Sequence, residues 1–321
     1  MSILVYTENW DGKFKKQSFE LVSYASKLAE KTASNVVALS IGSVEEDELK
    51  KLGTFGASKI VAVNSSDVEV LDNQVYTKLI SEVAIKEQAN VILIAHNTTG
   101  KGLAPRVSVR LQAGLASSVV ELPSAMSPFT IKKKVFSGKA FTNEIIDTEK
   151  AVLTLATNSF EVIENPKNPE ISNYSSEDNL TPTTKVLNVS KQTGKILLSD
   201  AEVVVSGGRG MKSGDNWEPI EELADILGAA TACSRPVSDE GWRPHGEHTG
   251  QTGKIIAPNL YFAFGISGAI QHLAGVSSSK CIVAVNTDPD APIFEAADYG
   301  IVGDAIKVLP ELIDAIKKVK S

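Results

Sequence analysis

Glycines, hydroxyls and cations recur in four short turns between Val203 and Asn286. The turns are Ser206-Gly207-Gly208-Arg209-Gly210, Cys233-Ser234-Arg235-Pro236, Gly250-Gln251-Thr252-Gly253-Lys254 and Gly265-Ile266-Ser267-Gly268-Ala269-Ile270-Gln271-His272. Each turn follows or precedes a short apolar run that reads as a strand or a helix start. Such turns set backbone N–H groups, hydroxyls and cations at the carboxyl ends of strands, where α/β sheets hold nucleotides. The implied chemistry is the binding of a nucleotide cofactor.

Residues downstream of the first turn narrow the type of cofactor. Gly208, Gly210 and Gly214 approximate a dinucleotide fingerprint whose last glycine falls one residue late. At the end of the next strand an NAD site carries Asp or Glu for the ribose hydroxyls; this chain has Ser234 and Arg235. Simple NAD binding is disfavoured. Arg235 suits either the 2′-phosphate of NADP or a ring system that becomes anionic, as a reduced flavin does. His272, five residues beyond Ser267 in an expected helix, lies close enough to the same strand ends to reach a cofactor and is expected to be partly exposed. No nucleophile–base pair stands out. His245 and His248, three apart with no third ligand in view, do not make a metal site.

These turns need a parallel sheet behind them. Val203–Ser206, Ala229–Cys233, Tyr261–Phe264, Lys280–Val285 and Ile301–Val302 read as strands, with helices over Glu218–Leu227, Ser267–Ala274 and Ile306–Lys318. The first half also alternates strand and helix, from Ile3–Tyr6 through Gln17–Lys31, Asn35–Ile41, Glu45–Leu52, Lys59–Asn64 and Asn73–Gln88 to Val91–Ala95. The turn His96–Gly102 reads as a capped helix start, with Thr98 or Thr99 as N-cap, ahead of a helix over Pro105–Gln112. Lys132–Ser137 and Ala151–Thr157 read as antiparallel strands added at the sheet edge. The polar, proline-bearing stretch Glu164–Thr184 reads as a connector, with Val186–Val189 returning as a last strand. The expected fold is α/β with two domains, residues 1–190 and 191–321, each a mostly parallel sheet flanked by helices; the second is a Rossmann-like nucleotide-binding domain.

Composition excludes several classes. A formal net charge of −7 gives no support to general nucleic-acid binding, and the one compact basic run, Lys132-Lys133-Lys134, reads as a solvated strand edge or turn. Its two cysteines, Cys233 and Cys281, read as reduced thiols. The sequence opens directly on a strand and has no apolar run of the ~18 residues that span a bilayer. The expectation is a cytoplasmic protein without membrane insertion.

The runs Gly250–Lys254, Gly265–Gly275, Asn286–Phe294 and Ala297–Val302 resemble the electron-transfer flavoprotein alpha subunits. The specific motifs fall within residues 203–304; over the first half, domain order and length agree. The resemblance implies FAD held mainly by the second domain, in a heterodimer with a separate beta subunit. It implies Arg235 against the isoalloxazine, Thr252 near N5, His272 near O2, and Ser234 and Gln251 along the flavin. Arg209, Ser267, Asn286 and Asp304 would hold the pyrophosphate, ribose and adenosine, with Gly265, Gly268 and Gln271 in the turn that carries His272. The implied role is that of an electron carrier in processes such as fatty acid beta-oxidation, without substrate turnover of its own. It would take electrons from acyl-CoA dehydrogenase or related flavin dehydrogenases and pass them to a quinone reductase. An electron-bifurcating variant belongs to the same family, and an NADP-dependent oxidoreductase subunit is the competing class.

Overall fold

The structure is a computed structural model and describes residues 1–65, 68–136, 140–176, 180–189 and 196–320. Its described residues fall into two compact units, one within residues 1–190 and one from 196 onward.

The first unit runs β1 (Ser2–Tyr6), β2 (Asn9–Trp10), β3 (Lys13–Phe14), α1 (Lys16–Thr32), β4 (Asn35–Ile41), α2 (Glu46–Thr54), β5 (Lys59–Val63), α3 (Asn73–Lys86), β6 (Ala89–Ala95) and α4 (Thr98–Leu111). It continues through β7 (Gly114–Val119), β8 (Ala125–Met126), β9 (Phe129–Val135), β10 (Ala140–Ile146), β11 (Ala151–Leu155) and β12 (Glu170–Asn173). The main sheet has the order β10-β9-β7-β11-β6-β1-β4-β5-β12, with β8 paired to β9. Side chains alternate across it. Ile3 and Val5 pack with Leu21, Leu28 and Leu52 from α1 and α2, whereas Leu4 and Tyr6 pack with Leu79, Val83 and Val107 from α3 and α4. Central strands buried on both faces are mostly apolar, as β1 and β11 are.

That rule corrects one expectation. Ala151–Leu155 is not an antiparallel edge strand; it lies parallel between β6 and β7, with all five residues buried. The stretch read as a connector holds an edge strand, β12, paired in parallel with β5. Val186–Val189 forms no strand; Val186, Leu187 and Val189 are exposed. Asn97, not Thr98 or Thr99, caps α4, its side chain accepting from the Gly100 N–H at 2.8 Å. The basic run lies in β9, inside the sheet between β10 and β7, with Lys132 paired to Glu121 and Lys133 to Glu144. Residues 137–139, the tip of the expected strand Lys132–Ser137, lie outside the described residues.

The second unit runs β13 (Val203–Gly207), α5 (Glu218–Leu227), β14 (Ala230–Cys233), α6 (Arg235–Asp239), β15 (Leu260–Phe264), α7 (Ile270–Val276), β16 (Ile282–Asn286), α8 (Ile293–Ala296), β17 (Tyr299–Val302) and α9 (Ala305–Lys320). Its five strands, all parallel, have the order β14-β13-β15-β16-β17. Val205, Phe262, Phe264 and Val285 face Ile220, Leu223, Leu309 and Ile313 of α5 and α9. The opposite residues Val204, Tyr261, Ala263 and Ala284 face Ile266, Val276 and Ile293. The chain leaves β13 for β14 on one side and returns as β15 on the other, so the carboxyl ends of β13 and β15 form the topological switch point, where open α/β sheets bind ligands. Helix α7 begins at Ile270 rather than Ser267, because Gly268 sits at a φ of +81°, outside the helical region. Among the described residues no helix is long and apolar enough to cross a membrane.

Candidate functional site

The residues expected to bind a cofactor lie at the carboxyl edge of the five-stranded sheet or in a turn tied beside it. At the switch point two backbones cross almost in contact. The Gly208 N–H donates to the Phe264 carbonyl at 2.9 Å and the Gly210 N–H to the Gly265 carbonyl at 3.0 Å. A Cβ on Gly208 would stand 2.3 Å from the Gly265 oxygen, and one on Gly210 would stand 2.5 Å from the Gly265 Cα. Gly265 itself has a φ of +62°. Glycine is required here by close approach and by conformation together. Arg209, between the two glycines, is exposed at this edge.

The remaining strand ends add polar groups in order. Ser234, buried, follows β14 and precedes Arg235, the first residue of α6, whose exposed guanidinium lies 3.3 Å from Asp239 one turn on. Ser267 is exposed after β15. Asn286 ends β16 and donates from Nδ2 to the Ile266 carbonyl at 2.9 Å. Asp304 follows β17; it accepts from the Ile306 N–H at 3.1 Å and pairs with Lys212 at 2.9 Å, and the Lys212 hydrogen bond holds its carboxyl below the ordinary range. Asp304 thus has a structural task at the start of α9.

Gln251 and Thr252 project from a turn that is fixed on three sides. The Gln251 N–H donates to the Gln271 carbonyl at 2.7 Å, the Lys254 N–H to the His248 carbonyl at 2.9 Å, and the Thr249 N–H to the Cys233 carbonyl at 3.0 Å. A Cβ on Gly275 would meet the Gly250 backbone at 2.5 Å. The turn therefore lies against α7 and the end of β14, with the side chains of Gln251, Thr252 and Gln271 exposed.

His272 departs from expectation. It is in the first turn of α7 and only 7% exposed. Its Nε2 lies 2.8 Å from the hydroxyl of Tyr261, the second residue of β15. Burial draws its pKa down to about 4, the nearby Thr249 backbone opposing and His248 adding to the fall. The imidazole is uncharged at neutral pH, because ionising it there would bury a charge away from water. Sequence reasoning missed this buried polar group, formed by Ser206, Thr249, Tyr261 and His272. Its one visible signal was a tyrosine within the otherwise apolar strand Leu260–Phe264.

The donor set suits a cofactor with a pyrophosphate and a ring that gains negative charge. It offers a glycine crossing at the switch point, exposed cations at Arg209 and Arg235, exposed hydroxyl and amide groups, and no carboxylate at the end of β14. Among the described residues no cluster of His, Cys, Asp and Glu could hold a metal ion.

Comparison with known proteins bears on both units. The electron transfer flavoprotein domain matches residues 3–179, and the electron transfer flavoprotein FAD-binding domain matches residues 197–277. An electron transfer flavoprotein subunit alpha of Thermoanaerobacterium thermosaccharolyticum is 37% identical, over 99% of this chain and 98% of its own. Its namesake in Bacillus subtilis is 34% identical over 98% and 97%. The acryloyl-CoA reductase electron transfer subunit beta of Anaerotignum propionicum is 35% identical over 99% and 96%. Matched in both units and end to end by such relatives, the chain belongs to the electron-transfer flavoprotein alpha-subunit family, whose second domain binds FAD.

Proposed function

We propose that this chain is the FAD-carrying subunit of a heterodimeric electron-transfer flavoprotein of the cytoplasm. It takes electrons from acyl-CoA dehydrogenase or related flavin dehydrogenases and passes them to a quinone reductase or a comparable acceptor. Residues 1–190 form the domain that packs with the beta subunit, and 191–321 the domain that holds the cofactor. The observation that carries the reading is the glycine crossing at the carboxyl ends of β13 and β15, with Arg209 exposed within it and Arg235 exposed at the end of the neighbouring strand β14. FAD supplies a ring that accepts and releases electrons one at a time.

The chain's own residues bind, orient and tune. Arg209, Ser267, Asn286 and Asp304 hold the pyrophosphate, ribose and adenosine portion, aided by Gly265 and Gly268, where no side chain intrudes. Ser234, Arg235, Gln251, Thr252, Gln271 and His272 line the flavin. Arg235 supplies a permanent positive charge; to reach the ring it exchanges an exposed carboxylate, Asp239, for the cofactor. His272 contributes as a neutral hydrogen-bonding group.

The test is co-expression with a beta-type subunit, and visible spectroscopy through stepwise dithionite reduction. One FAD per heterodimer, reduced in two resolved one-electron steps, is the expected result. Two FAD per heterodimer would place the chain in the bifurcating branch. A colourless complex that binds NADP would overturn the reading.

A further inference from the structure

Tyr261 is a costly residue where it stands. It lies fully buried as the second residue of β15, among Val204, Ala263, Ala284 and Val276. Its neighbours on the strand, Phe262 and Phe264, fill the opposite face without a hydroxyl. A buried phenol needs a partner to offset its desolvation, and a phenylalanine would fill the same space without that need. The partner is His272 Nε2 at 2.8 Å, with the rings 6.1 Å apart between centroids.

We propose that Tyr261 is the positioning residue for His272, its phenol holding the imidazole at Nε2 and so fixing which ring nitrogen keeps the proton in the cofactor site. The inference rests on the flavin reading and extends it to a residue that does not itself touch the cofactor. Three further observations support it. The hydroxyls of Ser206 and Thr249 lie beside the same phenolic oxygen. Thr249 already donates to the Cys233 carbonyl at 3.2 Å, whereas the buried Ser206 hydroxyl has no partner of good geometry among the described residues and is the one free to turn and donate to the phenol. The phenol's own proton is then directed to Nε2, and the neutral imidazole keeps its proton on Nδ1. That nitrogen is closed to solvent and makes no hydrogen bond of good geometry, although the Thr249 backbone lies near. Finally, each of these groups abuts one of the cofactor turns. Ser206 precedes Gly207-Gly208, Thr249 precedes Gly250-Gln251-Thr252, and His272 follows Gly265–Gly268. One phenol thus lies among residues next to three turns and bonds directly to the residue that follows one of them.

The test uses the purified heterodimer with 15N-labelled histidine, as wild type and as Tyr261→Phe. The chain has only four histidines, and His272→Gln identifies the signal of interest. The expected wild-type result is a single tautomer of His272 with the proton on Nδ1. In Tyr261→Phe the preference is lost, the two ring nitrogens move toward averaged shifts, and FAD dissociates about 2–10-fold more readily, the value of one hydrogen bond. Ser206→Ala, a smaller change, is expected to move the same signals in the same direction by less. Unchanged His272 shifts in both variants, with unchanged FAD affinity, would overturn the proposal. Loss of the flavin reading is a separate result: a wild-type heterodimer without FAD defeats that reading, while the tautomer signal still decides the role of Tyr261.

Discussion

Gly265→Ala tests the backbone crossing at the switch point, and a second glycine supplies its control. At Gly265 the new methyl would occupy a left-handed φ of +62° and stand 2.6 Å from the Gly210 Cα, with further Gly210 backbone atoms at 2.9 and 3.1 Å. The conformation alone costs about 1–2 kcal/mol. Displacing packed backbone adds about 1–3 kcal/mol, for a total of about 2–5 kcal/mol. Gly228, which ends α5, has nearly the same φ, +63°, yet nothing lies within 4 Å of its Cβ position. Gly228→Ala therefore carries the conformational cost without the collision. Urea unfolding can be tracked by fluorescence in a Trp10→Phe background, which leaves Trp217 and Trp242, both in the second unit. Trp217 is a local reporter, since its ring packs where a Cβ on Gly207 would stand. Gly265→Ala is expected to unfold with at least about 1 kcal/mol more loss than Gly228→Ala, and to retain less FAD after gel filtration. Equal losses in the two variants would refute the claim that the crossing requires glycine for its closeness.

His272→Gln should flatten the acid side of the stability curve: the histidine's pKa falls from 6.5 to about 4 on folding, so its contribution is full above 6.5 and is lost as pH drops through the interval. That interval is worth on the order of 3 kcal/mol, and parallel urea-unfolding curves for wild type and variant between pH 7.5 and 4.5 would contradict it. Asp72→Ala should destabilise the first unit by about 2–4 kcal/mol in chemical denaturation, because this carboxylate caps α3 through Gln74 and Val75 and also binds Thr183 and Thr184; burial raises its pKa but those hydrogen bonds win, holding it at about 2, so its contribution fades only below pH 3.8. Arg235→Ala should leave the melting temperature within a few degrees, since its ion pair with Asp239 is exposed, while lowering the flavin potential and weakening FAD binding; a wild-type potential would remove Arg235 from the ring.

The parts of the fold legible in the sequence were those whose local pattern and burial agree. All five strands of the second unit announce themselves as apolar runs, and α5 falls where its periodicity places it. Failures arose where tertiary context decided. Glu170–Asn173 reads as polar connector because an edge strand needs only Ile171 to pack inward. Ala151–Leu155 looks like any apolar strand, and nothing local says that its partners are β6 and β7 rather than the neighbouring hairpin. Gly268 resembles a helix start but supplies a left-handed bend before one. The site itself was legible as turns, because glycine, hydroxyl and cation types at strand ends have a direct physical meaning. The orientation of His272 was not, since it depends on a tyrosine 11 residues earlier on another element.

That orientation changes how the site's charges must be divided. The permanent charges, Arg209 and Arg235, stay at the surface, where water bears the cost of keeping them ionised. His272 is the buried member and gives up its charge instead. Raising its pKa from about 4 to 7 requires about 4 kcal/mol of favourable interaction. A single negative charge about 4 Å from the ring supplies about 4 kcal/mol at the effective dielectric of a protein site. The histidine is therefore uncharged beside a neutral group, and a negative charge brought close to it would raise its pKa back toward the neutral range. A surface histidine would respond less, because water and salt screen the charge brought to it. Burial against Tyr261 is what makes the response of His272 depend on the charge brought to it.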